Sequence, residues 1–231
     1  MAREVKVAVL LAGCGHVDGA EVREAVFTLL ALDQHGARFQ CLAPNASQAE
    51  VVNHATGQAV AGPARTVLEE AGRIARVRQC LDLAEADPGQ YDALLLPGGA
   101  GVAKNLCSFA ADGPRATVRP DVAGFVRHFF EAGKPVGAIC IAPALVALVL
   151  RSLSRRGTLT LGDGRVAAPM EQLGARHQSV ASAREIVIDE ALKLVTTPAY
   201  MFDDARLGDV WVGIERCVSE VLKRVPAGPP A

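Results

Sequence analysis

The sequence predicts an α/β fold: a mostly parallel sheet covered by helices on both faces. Three observations predict it. Short, wholly apolar runs recur at Val5–Leu11, Asp92–Leu96 and Pro135–Ile139, as strands buried on both faces require. Helical periods alternate with them, which argues for parallel crossovers. Half the 231 residues are hydrophobic and 21% are charged, a balance that places the chain among globular proteins.

The elements follow in order. Val5–Leu11 is the first strand, and a turn with Gly13, Gly15 and Gly19 ends it. From Ala20 to Gln34, Val22, Val26, Leu29, Leu30 and Leu32 form a helical stripe, the expected buried face. Phe39–Ala43 is the second strand, and Asn45–Pro63 is a polar, turn-rich excursion. Arg65–Arg76 is helical, and Val77–Leu81 is extended. Asp92–Leu96 is a buried strand ending in LLLPGGAG. Asp121–Ala132 is an amphipathic helix, and Pro135–Ile139 is a strand running into the apolar helix Ala142–Leu150. Thr158–Leu161 is a strand within the charged surface excursion Arg151–Arg165. Ile186–Asp189 and Leu192–Thr196 form a hairpin around Glu190-Ala191, and Asp203–Arg224 carries a long helical period. No linker or internal repeat divides residues 1–225, so one domain is expected, with 226–231 (PAGPPA) as a flexible tail.

Composition excludes several function classes. Lys plus Arg is 24 and Asp plus Glu is 25, a net charge of −1, without the basic excess of a nucleic-acid or membrane-surface protein. Aromatic residues are only 4%, too few for a base-stacking surface. The six cysteines form no CxxC pair, and a chain this long folds without bridges. A reducing location is expected, cytoplasmic or one reached by import after removal of a presequence. The N-terminal apolar run is shorter than a signal h-region, and no stretch has the roughly 18 apolar residues of a membrane span.

Two strand ends carry the chemistry. Val136–Ile139 leads straight into Cys140, flanked by Ala138 and Ala142, with a helix beginning at once. Small neighbours are what a tight strand-to-helix elbow requires. The helix N-terminus would lower the thiol pKa and make the sulfur nucleophilic. A buried structural cysteine is the competing reading. After Asp92–Leu96, Gly98 and Gly99 would let peptide N–H groups approach a bound oxygen, though an ordinary turn explains them equally. Ligands of such sheets bind beyond the carboxyl ends of the strands. Glu24, near the start of the first helix, is the third candidate, against a solvated first-turn acid, a role that suits Glu21 better.

The segments LAGCGHVDGAEVREAV, VVNHATGQA, RTVLEEAGRIAR, LLLPGGAGVAKNL, GKPVGAICIAPAL and LVTTPAYM, in this order, resemble the PfpI-like, class I glutamine amidotransferase-like superfamily, and within it the ElbB-type glyoxalases. The resemblance spans essentially the whole chain. It implies a flavodoxin-like doubly wound sheet, a nucleophilic Cys140, and a protonated Glu24 hydrogen-bonded to its sulfur. It further implies an oxyanion pocket from the N–H of Gly99 and of Ile141, with Gly98 beside it and His54 at the loop. A homodimer is implied too. The activity implied is a cofactor-independent, lyase-type glyoxalase acting on a small dicarbonyl substrate, with no metal and no glutathione, and of low turnover.

Departures narrow it. Peptidase-like members carry a His directly after the nucleophile, where this chain has Ile141. Amidotransferases need a late His and acid, where this chain has TTPAYM, and His177 lies upstream with no adjacent acid. His54 reads otherwise as a satisfied loop residue, and His35 and His128 as surface. Cys14 and His16 are two ligands where zinc wants three or four. Lys104-Asn105 lines the site or simply starts a helix. The glycines fit neither GxGxxG nor a P-loop. Two other functions compete with the enzyme: a stress protein whose Cys140 is oxidised to sulfinate, and a partner module with an idle pocket.

Overall fold

A computed structural model describes residues 4–62 and 64–226. The strands are β1 (Lys6–Leu10), β2 (Arg38–Ala43), β3 (Val52–Asn53), β4 (Gln58–Ala59), β5 (Cys80–Asp82), β6 (Ala93–Leu96), β7 (Val136–Ile139), β8 (Thr158–Leu159), β9 (Arg176–His177), β10 (Val187–Asp189) and β11 (Leu194–Thr197). The helices are α1 (Val22–Gln34), α2 (Val67–Ala75), α3 (Phe109–Asp112), α4 (Pro120–Glu131), α5 (Ala142–Ser152), α6 (Ala167–Gln172) and α7 (Leu207–Lys223). The main sheet has the order β10-β11-β7-β6-β1-β2-β5. Only β10 runs antiparallel, paired with β11 as Val187↔Thr196 and Asp189↔Leu194, the hairpin expected from the sequence.

Alternation along β1 divides the core. Val7, Val9 and Leu11 face α1, α2 and α7, packing with Leu95, Val195, Ile214 and Val218. Ala8 and Leu10 face α4 and α5, packing with Leu94, Phe125, Phe129 and Leu145. A sheet apolar on both faces needs helices on both, which accounts for the doubly wound arrangement. The strand order reverses at β1, with β2 on one side and β6 on the other. That reversal opens a crevice at the carboxyl ends of β1, β6 and β7.

Several expectations change. The apolar stripe of α1 is only partly its buried face: Leu32 is buried, but Val22, Val26 and Leu30 are 40%, 45% and 41% exposed. Glu24, Ala25, Thr28 and Ala31 face inward with Leu32. The extended segment expected at Val77–Leu81 becomes a strand only from Cys80. After β6 the chain winds as a π-helix over Val102–Leu106, closed by the Cys107 N–H donating to the Val102 carbonyl at 3.2 Å. Periodicity does not announce that turn. The excursion after α1 contains the β3–β4 ribbon, and the charged excursion pairs β8 with β9. Of the expected tail, 227–231 lie outside the described residues. Among the described residues, no helix is long and apolar enough to cross a membrane.

Candidate active site

β7 delivers Cys140 into a sharp turn. Its φ is +59°, a left-handed conformation that costs a non-glycine residue about 1–3 kcal/mol. The Cys140 N–H donates to the Thr197 carbonyl of β11 at 2.9 Å, which fixes the turn against the neighbouring strand. Ile141 caps α5, and Pro143 sits in its first turn, where a missing N–H costs nothing.

Two glycines from the end of β6 close around this elbow. A Cβ at Gly98 would lie 2.4 Å from the Cys140 Cβ and 2.6 Å from Glu24 Oε2, so only glycine lets the strands converge. Gly99 has φ +100°, and a Cβ there would meet the Glu21 nitrogen at 2.3 Å. The N–H groups of Gly99 and Ile141 both donate to the Cys140 sulfur.

Glu24 lies beneath the sulfur and is fully buried. Its Oε2 accepts the Gly98 N–H at 3.0 Å, and its Oε1 accepts the Tyr200 N–H at 3.2 Å. Its carboxyl is also hydrogen-bonded to the Cys140 thiol. Burial, and then the nearby Glu21 carboxylate, push the Glu24 carboxyl up to about 8, against the hydrogen bonds that hold it down. Burial likewise pushes the Cys140 thiol well above its ordinary value, an ionised Glu24 would push it further, and the Gly99 N–H opposes both. This corrects the expectation of a thiol lowered by the helix N-terminus: desolvation outweighs the dipole. Both groups of the pair therefore favour their protonated forms at neutral pH.

Cys140, 7% exposed, lines a cavity of about 550 Å³ together with Gly99, Ile141, His16, Glu21, Arg23, Tyr200 and Asp203. Glu24, Gly98 and His54 do not line it. Gly98 serves the acid through its N–H. His54 stands behind His16, with ring centroids 5.4 Å apart in an edge-to-face contact. Its Nδ1 lies 3.2 Å from the Val52 carbonyl, and its Nε2 accepts the Val17 N–H at 3.4 Å.

The remaining candidates take structural places. Lys104 donates to the Val17 carbonyl at 2.9 Å and pairs with Glu50. Asn105 is buried, donating to the Ala12 and Asp18 carbonyls and accepting the Ala49 N–H, and so fastens the glycine turn after β1. Glu21 caps α1 through Oε2, which accepts the Glu24 N–H at 2.7 Å. Neither Cys14 and His16 nor any other group of three or more His, Cys, Asp or Glu residues could hold a metal, among the described residues. His177 lies on β9, its Nε2 accepting the Leu161 N–H at 3.0 Å. His35 Nε2 is 3.0 Å from Glu215.

Sequence reading did not single out Arg23 and Tyr200, which touch across the cavity. Arg23 donates to the Tyr200 hydroxyl at 3.0 Å and lies over its ring. The quoted segment ending in PAYM was the available signal, but only folding sets it against α1.

The DJ-1/PfpI family model matches residues 5–201. The human protein named "Glutamine amidotransferase-like class 1 domain-containing protein 3, mitochondrial" is 40% identical, over 94% of this chain and 82% of its own length. The rat "ES1 protein homolog, mitochondrial" is 36% identical over 94% and 83%. A crystal structure of an isoprenoid biosynthesis protein with amidotransferase-like domain from Ehrlichia chaffeensis superimposes with TM-score 0.89 at 36% identity, covering 96% of this chain and all of the other. Drosophila melanogaster DJ-1beta, at 18% identity and TM-score 0.53, shares the fold alone. The cysteine elbow, its buried acid and the doubly wound sheet thus sit in a chain that belongs to the DJ-1/PfpI family, within the class I glutamine amidotransferase-like superfamily.

Proposed function

We propose that the protein is a cofactor-independent glyoxalase, of the ElbB-type branch, converting small 2-oxoaldehydes to 2-hydroxy acids through Cys140. The observation that carries the reading is the environment of one sulfur. It is held at a strained elbow, hydrogen-bonded to a buried acid and to two peptide N–H groups, and open to a cavity of about 550 Å³.

The thiol adds to the aldehyde carbon, forming a C–S bond while the carbonyl oxygen becomes a hydroxyl. Glu24 handles the thiol proton in this step. The N–H groups of Gly99 and Ile141, which face the sulfur, are placed to hold the developing oxyanion, worth about 3 kcal/mol per donor. The hydrogen on that carbon then leaves as a proton while the neighbouring carbonyl gains one, giving an enediol. Return of a proton to the second carbon, with loss of the hydroxyl proton from the sulfur-bearing carbon, leaves a thioester. Water cleaves it, breaking the C–S bond and restoring the thiol, so the net change is addition of one water with no oxidant. A thiol with a raised pKa and no adjacent His makes the enzyme slow. The same raised thiol disfavours the peroxide sensor, since peroxide attacks the thiolate.

The test is steady-state turnover of glyoxal by wild type and Cys140→Ser. The variant is expected to lose more than about a hundredfold. Equal rates in the two proteins would end the enzyme reading.

We also propose that the chain pairs with a second copy of itself, supported by the exposed Val22, Val26 and Leu30 along one side of α1. A reducing aqueous compartment, the cytoplasm first, suits it. All six cysteines are free, and Cys41, Cys80 and Cys217 are pushed up to about 12 by burial.

A further inference from the structure

We infer that His16 is the base that carries the carbon-bound proton during the isomerisation, a role that rests on the glyoxalase reading. The reaction moves protons at two places, the sulfur and a carbon, which leaves work for two handlers. One serves the sulfur, and Glu24 is built for that: it is fully buried, bonded to the thiol, and absent from the cavity wall. The other must reach a C–H bond of a substrate lying in the cavity, whose wall does not include Glu24. Only a group in the cavity wall can do so.

The wall offers few choices. Arg23 and the Tyr200 hydroxyl are bonded to each other. Glu21 has one carboxylate oxygen committed to the Glu24 N–H. Asp203 is an exposed carboxylate, a weak base by type. Imidazole is the side chain whose ordinary titration lies nearest neutrality, and it can both take and return a proton.

His16 is also placed for the work. Its backbone carbonyl accepts the Ala100 N–H at 2.8 Å, so it is tied to the residue next to Gly99, one of the two oxyanion donors. Its ring rests edge-to-face against His54. The Asp18 carboxylate lies behind, with Oδ1 3.6 Å from His54 Nε2. That oxygen is buried and has no hydrogen-bond partner among the described residues. An imidazolium formed on His16 during the transfer therefore has acidic groups on both sides: Asp18 behind His54, and Glu21 and Asp203 in the cavity. The same proton returns from His16 to the second carbon, so the residue is unchanged over the cycle.

The experiment compares wild type, His16→Ala and His16→Gln with glyoxal, with and without free imidazole. His16 is exposed, so folding is not at stake. Both variants are expected to lose about a hundredfold in kcat with KM changed less than threefold. Added imidazole should restore part of the His16→Ala rate. Alkylation of Cys140 by iodoacetamide should stay at the wild-type rate, because the sulfur and Glu24 are untouched. Wild-type turnover that survives in both variants overturns the inference and leaves the glyoxalase reading standing. Loss of kcat without imidazole rescue, or with slowed alkylation, also overturns it, since that is a structural effect. A wild type that does not turn glyoxal over removes the glyoxalase reading itself.

Discussion

Glu24 holds a proton at neutral pH because its burial outweighs the peptide N–H groups of Gly98 and Tyr200, which by themselves favour the carboxylate. The sign of the stability effect follows. The unfolded chain releases this proton around 4.5 and the folded chain only at about 8, so the folded state binds more protons in between. The stabilising contribution is complete below pH 4.5 and drains away as the pH rises to 8, on the order of 5 kcal/mol in all. Glu24→Gln should flatten that slope, since an amide does not titrate there. At pH 5, where the wild type keeps its proton, the variant should also be less stable by about 1–3 kcal/mol, because its NH₂ cannot accept one of the two N–H groups, and that deficit shrinks or reverses by pH 8.5. Urea unfolding at pH 5 and pH 8.5 checks both. An unchanged slope in the variant would mean that the retained proton is elsewhere. That Glu24 is a site residue could be suspected from the sequence, through the resemblance. Its burial could not, because the flanking Val22 and Val26 suggested the wrong inward face.

At the level of elements, α7 shows how closely the site's supports pack. A Cβ at Gly213 would lie 2.0 Å from the Ala183 carbonyl oxygen and 2.7 Å from Thr197 Oγ1. Thr197 is also the residue whose carbonyl holds the Cys140 N–H. Helix propensity alone makes Gly→Ala favourable by about 1 kcal/mol. At Gly213 the backbone contact wins, and Gly213→Ala is expected to destabilise by about 2–3 kcal/mol. Gly208, in the first turn of the same helix, has open space around it. Gly208→Ala should stabilise by roughly 0.5–1 kcal/mol. Thermal unfolding of the two variants measures the contrast, and a Gly213→Ala protein as stable as wild type would show that α7 can shift away. The long helical period of α7 was legible in the sequence. The tightness of one of its faces was not, because glycine carries no hydrophobic signal.

For the whole molecule, the exposed Val22, Val26 and Leu30 recur every fourth residue and so form one stripe along α1. A second copy would cover it, and the edges of the main sheet, β10 and β5, are not needed for the contact. Val26→Asp is expected to turn a dimer into a monomer with little change in thermal midpoint, because the residue makes no contribution to the monomer's core. Sedimentation at micromolar concentration reads it. A wild type that sediments as a monomer, or a dimer untouched by the substitution, would move or remove the proposed interface.

By itself the sequence determined the alternation of buried strands and helices, because a two-sided parallel sheet writes near-continuous apolar runs. It also marked the elbow at Cys140 and the glycines after β6, because tight backbone turns admit only small residues. Tertiary structure decided what no local pattern encodes. It turned α1 so that an acid, not a valine, faces inward. It set the direction of the thiol's shift, since desolvation depends on neighbours distant in the chain. It placed His16 in the cavity and His54 behind it, two residues 38 positions apart that meet only when the turn after β1 folds against the excursion after β2.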